Sequence, residues 1–423
     1  MDLFENKKEI IYFFLIAGLI FALNVGLKYY NFTKIKAKPY LSSQATLLAS
    51  EQKLSKNGKV YYSNIFATPD FRIYSYAKAK LEKGAYSIKI PTKKLDFKSY
   101  LKGMFFSAVF DIKAISTAPT LRQKLVNLVY SQHQNPKASE LYSALFFATP
   151  LSKELRSEIT NWGIAHLLAI SGFHLGLLFA IFYFLLKRPY SYFQQRFFPH
   201  RNRDIDLSLF ILALGAFYLW ILDFTPSFFR SYLMSVFGFI LLVRGIKIFA
   251  FGTLLLCVVF ALCSSPSLIF SIGFYFSCLG VFFILVYIKH FGEYSDFKSK
   301  AKMLAHALCF ELFVFSAMNI PVFYFFPQAS IFQLSVIVLS YAFVVFYPLS
   351  IALHLFGFGG LFDSYLLDFL AYATKGGEIF IPTWLFVLFN LSLIFAVRYK
   401  YCAVFVALSG VFIYFGDFLS REF

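Results

Sequence analysis

Polar side chains capable of acid–base, ligating or anion-contacting chemistry gather most densely in Trp162-Gly163-Ile164-Ala165-His166-Leu167-Leu168-Ala169-Ile170-Ser171-Gly172-Phe173-His174-Leu175-Gly176, inside an apolar run. Imidazoles and hydroxyls are costly in such a run, which marks them as functional candidates. On one continuous helix His166 and His174, eight residues apart, lie about 80° around the axis and face one cavity. Gly172 and Gly176 form a small-xxx-small pair suited to close helix packing, and Ser171-Gly172 is a point where the helix can break. Four chemistries fit these residues: the lining of a transport path, a zinc site, a serine protease with Ser171 and His174, or two histidines hydrogen-bonded between helices. The zinc reading lacks further ligands at suitable spacing, and intramembrane proteases generally pair residues from different helices.

A second constellation is a strand-like alternation. From Phe71 to Leu81 one face reads Phe71, Ile73, Ser75, Ala77, Ala79, Leu81; the other reads Arg72, Tyr74, Tyr76, Lys78, Lys80. The second face joins stacking rings to phosphate-binding cations, the chemistry of single-strand nucleic-acid binding. Edge strands also carry Lys merely to discourage aggregation, and lipid headgroups are another anionic partner. Between residues 31 and 102 fifteen Lys and Arg, Lys89 among them, stand against four acidic residues, a net of +11. Further strands are expected at Ala45–Ser50, Val60–Ala67 and Tyr86–Ile90, with turns at Asn57-Gly58 and Gly84, which suits a small barrel of the oligonucleotide-binding (OB) type.

The elements that position these residues follow from composition. The 423-residue chain is 59% hydrophobic and only 15% charged, so lipid is the solvent for most of it. The fold class is a polytopic α-helical membrane protein, of about 9–11 membrane segments, with a small external β-barrel. Residues 1–30 hold a retained signal anchor, 31–112 an external basic domain, 113–162 an amphipathic helical connector punctuated by Pro119, Pro136 and Pro150, and 163–423 the bundle. Expected spans are 9–29, Ile164–Leu186, Leu207–Leu222, Phe228–Val243, Ile248–Cys263, Leu268–Ile288, Leu304–Phe326, Ile331–Leu355, Pro382–Val397 and Cys402–Phe415. Phe356–Gly377, with Gly357, Gly359, Gly360, Asp363 and Asp368, reads as a re-entrant or interfacial element. Basic clusters at Lys187–Arg203, Arg244–Lys247 and Lys289–Lys302 recur at every second crossing, which places the N-terminus in the cytoplasm and residues 31–162 in the periplasm. The five cysteines all sit in apolar runs, so neither a disulfide framework nor a metal site is expected.

The stretch His166-Leu-Leu-Ala-Ile-Ser171-Gly172-Phe173-His174-Leu-Gly176 resembles the signature of the ComEC family of competence proteins. Phe224-Thr225-Pro226-Ser227-Phe228-Phe229-Arg230-Ser231-Tyr232-Leu233-Met234 resembles that family's Pro-Ser…Arg-Ala…Met segment, with Ser231 in place of Ala. Pro266 followed by Gly273-Phe274-Tyr275-Phe276-Ser277 resembles a third, with Tyr275 and Phe276 departing. The resemblance implies an inner-membrane channel for single-stranded DNA in natural transformation. It also implies a periplasmic DNA receptor and cytoplasmic DNA-handling or motor proteins as partners, besides membrane lipids. His166, Ser171, Gly172, His174, Gly176, Asp223, Pro226 and Arg230 are then the expected path, and Arg72, Tyr74, Tyr76, Lys78, Lys80 and Lys89 the expected capture residues. The seven histidines contain no His-x-His-x-Asp-His motif, so the resemblance is to a short form without the metallo-β-lactamase-like domain, and no nuclease is expected. No G-x-x-x-x-G-K-[ST] loop occurs; neither a cofactor nor catalysis is expected, and the driving force must come from a partner. The competing class is a polytopic membrane enzyme, a protease or a lipid-linked glycan enzyme; a third is a transporter of small anions.

Overall fold

A computed structural model describes residues 7–54, 60–68, 71–82, 84–115, 118, 120–245, 251–293, 299–373 and 376–422. Lys56, the Asn57-Gly58 turn, Lys59, Asp70, Lys83, Pro119, Lys247 and Lys298 lie outside the described residues. Contacts divide the chain into two units, residues 2–120 with 255–275, and residues 121–254 with 276–423.

The first unit begins with helix α1 (Lys7–Lys36), followed by β1 (Tyr40–Leu54), β2 (Val60–Ala67), β3 (Arg72–Ala77), β4 (Ala85–Pro91), α2 (Phe97–Lys102), β5 (Met104–Phe106) and β6 (Phe110–Ile115). The strands form one sheet of order β5-β3-β2-β1-β4-β6, antiparallel except for β3–β5. β1 serves two partners, β4 along its first half and β2 along its second, and its register shifts between Leu47 and Ala49. That irregularity bends the long strand around the core. Alternate residues fill this core: Ala45, Leu47, Phe66, Phe71, Ile73, Tyr86, Ile88 and Ile90. α2 starts where the Asp96 side chain accepts from Ser99 N at 3.1 Å and stops at Gly103, whose φ of 70° needs a residue without Cβ. The expected closed barrel is not seen. β5 is three residues long and already uses its ladder on β3, so the described sheet stays open between β5 and β6. The strand expected over Phe71–Leu81 is also shorter, and Lys78 and Lys80 follow it in an exposed bend and coil.

In the second unit come α3 (Leu121–Tyr130), α4 (Pro136–Phe147), α5 (Lys153–Asn161), α6 (Ala165–Leu168), α7 (Gly172–Phe197), α8 (Arg203–Ile221) and α9 (Pro226–Val243). Next follow α10 (Phe251–Ser264) and α11 (Ile272–Phe291), each shared between the two units. α12 (Lys300–Phe325), α13 (Val336–Leu355), α14 (Asp363–Tyr372), α15 (Thr383–Arg398) and α16 (Lys400–Glu422) complete the chain. Among the described residues, five helical segments are long and apolar enough to cross a membrane: Lys8–Lys36, Arg203–Ile221, Ile272–Phe291, Lys300–Phe325 and Ile331–Leu355. Shorter apolar helices are Phe228–Val243, Phe251–Ser264, Thr383–Arg398 and Lys400–Gly416.

Two expectations are corrected here. Ile164–Leu186 is not one continuous span, because Ala169 and Ser171 are extended and separate α6 from α7. α4 is not an amphipathic surface helix: nine of its twelve residues are buried, among them Tyr142, Leu145 and Phe146, in a core shared with α5, α7, α13 and α14.

The tightest backbone approach joins α12 to α16. A Cβ on Gly410 would stand 1.8 Å from the Ser316 carbonyl oxygen, whereas Gly416 on the same helix has open space. Gly410→Ala is therefore expected to cost about 1–3 kcal/mol through forced separation of the two helices. Thermal unfolding in detergent checks this, with Gly416→Ala expected to melt like the parent chain.

Candidate functional site

On the outer face of the sheet, cross-strand pairing assembles a row of rings. Residues opposite each other in a ladder point to the same face. Tyr61 and Ser63 of β2 share a face with Tyr74 and Tyr76 of β3, and Tyr74 is in register with Phe106 of β5. Tyr76 sits in the middle, 4.9 Å from the Tyr61 ring and 4.8 Å from Phe106. Tyr76 and Phe106 are 58% and 60% exposed, so the row presents ring surface to the outside. Exposed Arg72 and exposed Lys53, which pairs with Tyr61, flank it. Tyr74 is half-buried.

Lys89 is engaged differently: its Nζ lies 2.8 Å from Asp111, which Lys113 also approaches at 3.3 Å. Hydrogen bonding to Asp111 raises the Lys89 pKa, and the two lysines lower that of Asp111. Tyr61 and Phe106 were not singled out from the sequence. The alternation of Val60–Ala67 could have indicated Tyr61, but Phe106 comes from a strand of three residues, too short for any period to show.

In the helical unit the signature residues surround the break between α6 and α7. Ser171 caps α7, its Oγ accepting from Phe173 N at 3.3 Å. His174 returns the bond: its Nδ1 lies 3.4 Å from both Ser171 N and Ser171 Oγ. A backbone N–H can only donate, so Nδ1 is an acceptor and the ring proton belongs on Nε2. This is a capping box with histidine in the place of glutamate, and capping accounts for the Ser171–His174 contact without a nucleophile–base pair. His174 is fully buried, edge-on to Tyr347 of α13 at 4.8 Å and near Phe343 at 5.4 Å.

His166 lies exposed on the short α6, with Nδ1 3.1 Å from the Gly163 carbonyl. Because the two histidines are on different helices, the 80° relation between them does not apply. Gly172 approaches α9, its Cβ position 3.6 Å from Ser231 Oγ, but Gly176 has nothing within 4 Å. The close packing expected of that pair falls instead partly to Gly215 of α8, 3.2 Å from the Tyr232 ring. Arg230, beside Ser231, is buried at 4% exposure.

Asp223 stands apart from this group. It forms an ion pair with Arg122 at 2.5 Å, and Arg122 also donates to the Phe147 carbonyl at 2.7 Å. Asp223 and Phe224 both adopt positive φ, 49° and 53°, and Pro226 then opens α9, where its fixed φ and missing N–H are best tolerated.

A second polar cluster, unmarked by any sequence pattern, lies between α3, α4, α13 and α14. His133 Nδ1 is 2.9 and 3.0 Å from the two Asp363 carboxylate oxygens, and its Nε2 is 3.1 Å from His354 Nε2. Among the described residues no group of three or more His, Cys, Asp or Glu is arranged to hold a metal ion.

Among the described residues, helices long and apolar enough to cross a membrane recur along the chain, as in a multi-pass membrane protein. The family model described as Competence protein matches residues 148–416, more than half of the chain. The chain belongs to the competence-protein family, in agreement with the ComEC resemblance of its signature residues, and membership implies a role in DNA uptake. No curated relative and no solved structure matches it.

The cap makes a direct prediction. Ser171→Ala removes the Oγ acceptor and is expected to cost about 1 kcal/mol, while Ser171→Asp, which can still cap, is expected to retain most of the stability. Chemical denaturation of the two variants in detergent distinguishes them.

Proposed function

We propose that this protein conducts single-stranded DNA across the bacterial inner membrane during natural transformation. The observation that carries the reading is the Tyr61–Tyr76–Phe106 row, with Tyr76 and Phe106 exposed and Arg72 and Lys53 flanking it in a strongly basic segment. Rings stack on any base and cations follow the phosphates, so such a face holds a strand without reading its sequence. We regard the sheet as an open relative of the OB type, with Tyr74, Lys78 and Lys80 supplementing the row and Lys89 contributing less because Asp111 offsets its charge.

The captured strand then passes the α6/α7 break. Irregular backbone in an apolar surrounding is tolerated where it lines a cavity or passage, and discontinuous helices place such breaks at transport sites. His166, Ser171, Gly172, His174, Gly176 and Arg230 are the residues we assign to this passage, with Asp223 and Pro226 shaping the entry to α9. Since His174 and Arg230 are buried, conduction requires α7, α9 and α13 to separate from the packed state described above. In this reading the N-terminus is cytoplasmic and residues 31–162 periplasmic. A periplasmic receptor delivers the DNA, and a cytoplasmic motor or DNA-binding partner draws it in.

Binding of a fluorescent oligothymidine to the full-length protein in nanodiscs tests capture. Tyr76→Ala and Phe106→Ala are each expected to weaken binding by about 1–3 kcal/mol, roughly 5- to 150-fold. Arg72→Gln is expected to flatten the salt dependence, by about 0.7 in the log–log slope for each phosphate contact removed. Unchanged affinity in both ring variants would remove the capture surface from the reading. Labelled DNA that enters the cytoplasm normally in cells lacking the protein would remove the channel itself.

A further inference from the structure

His133, His354 and Asp363 are 221 and 230 residues apart in pairs, yet they form a continuous chain of hydrogen bonds. The chain starts at the Ser350 carbonyl, 2.6 Å from His354 Nδ1. A carbonyl only accepts, so His354 Nδ1 carries a proton. Of the two facing Nε2 atoms one must donate, and one proton must lie between His133 Nδ1 and Asp363.

Three protons shared among two imidazoles and one carboxyl satisfy every bond. His133 can be the cation, His354 can be the cation, or Asp363 can be neutral; each arrangement carries no net charge. With two protons one of the contacts is left without a donor. With four, two N–H groups face each other across 3.1 Å.

The surroundings are sparing in charge. From α4, Tyr142 stacks on His133 at 4.8 Å and an angle of 6°, and lies 4.7 Å from His354. Burial, reinforced by the Asp363 charge, raises the Tyr142 pKa well above the usual tyrosine range, so its hydroxyl stays neutral. Phe146 of α4 covers His354 from another side. From the turn after α3, the Gln132 side chain donates to the His354 carbonyl at 3.0 Å and accepts from Gly359 N at 3.0 Å. Glycine is required at this closure: a Cβ on Gly359 would stand 2.6 Å from Gln132 Oε1 and 2.8 Å from His354 Nε2. A cavity of about 550 Å³ opens beside the cluster, lined by Gln132, Gln134, Asn135, Asp363 and Ser364 among others.

We propose that His133, His354 and Asp363 form a proton-binding clasp that holds the 131–135 turn against α13 and α14, and that gain or loss of one proton releases it and opens the adjoining cavity. The pH dependence follows from counting protons. In water a free imidazole has a pKa of about 6.5 and a free carboxyl about 3.9. Above pH ~6.5 the open residues hold two protons and below it four, against three in the closed clasp. Closure therefore takes up a proton on the alkaline side and expels one on the acid side. Its equilibrium constant peaks near pH ~6.5 and falls by up to about tenfold per pH unit in each direction.

Pulsed electron resonance between spin labels at Gln134 and Leu367, attached through clickable noncanonical residues so that the native cysteines remain, measures the closed fraction of the full-length protein in nanodiscs. The expected result between about pH 5 and 8 is a bell-shaped closed fraction. Asp363→Asn separates titration from mere packing. The amide donates to His133 Nδ1, so two imidazole protons suffice for every bond. The alkaline limb is then expected to vanish and the acid limb to steepen to as much as about a hundredfold per pH unit. A closed fraction independent of pH in the parent chain, or an alkaline limb that survives in Asp363→Asn, would overturn the proposal. So would a stoichiometric metal in the purified protein whose chelation opens the clasp.

Discussion

Backbone amides and carbonyls in an apolar surrounding must find partners within the protein, and the helical unit is organised around that demand. At several helix ends, side chains bond the freed groups. Ser171 and His174 cap the first turn of α7. Asn161 donates to the Ala373 carbonyl at 3.2 Å, Gln333 to that of Thr160 at 3.1 Å, and the Trp162 indole to that of Phe369 at 3.1 Å. Tyr414 reaches the Ser330 carbonyl at 2.6 Å. Most of these polar residues bond backbone, whereas the His133–His354–Asp363 group, apart from the His354 bond to the Ser350 carbonyl, is bonded within itself.

Close approach is the complementary device. Where Gly410 meets Ser316 and Gly376 meets Ala329, the absence of a side chain lets segments pack at backbone distance. In lipid, where burial of apolar side chains between helices brings little gain, such contacts carry much of the association. The apolar helices expose many large apolar side chains, such as Leu255 of α10, Tyr341 of α13 and Phe412 of α16, as a lipid-solvated surface should. The sheet unit obeys opposite rules. Its core is an ordinary two-period apolar face, and its outer face carries rings and cations that would have no place in hydrocarbon.

Much of this was legible in the sequence, because hydropathy and period two are local properties. Five of the described helices are long and apolar enough to cross a membrane and other expected spans fall on shorter apolar helices, while the Ile73/Ser75 core face and Tyr76 outer face stand as the alternation predicts. Composition pointed to a multi-pass membrane protein, and the His166–Gly176 run pointed to the family. Local pattern failed where a neighbour decides the outcome. The sequence marked Ser171-Gly172 only as a point where the helix can break; that α6 and α7 do part there is decided by a cap and by packing on α9 and α13. Apolar content could not distinguish α4, buried on nearly every face, from an amphipathic connector, because the residues that cover it arrive from α13 and α14. Nor could it show an open sheet, which depends on how many ladders a three-residue strand can serve. Asp363 stood out only as part of the Phe356–Gly377 element and His133 and His354 not at all; hydrogen bonds of about 3 Å between them exist only once α3, α13 and α14 are folded together. Local sequence determined the solvent and the elements of this protein; the tertiary structure alone decided which distant polar groups share a proton, because a hydrogen bond depends on distance in space and not along the chain.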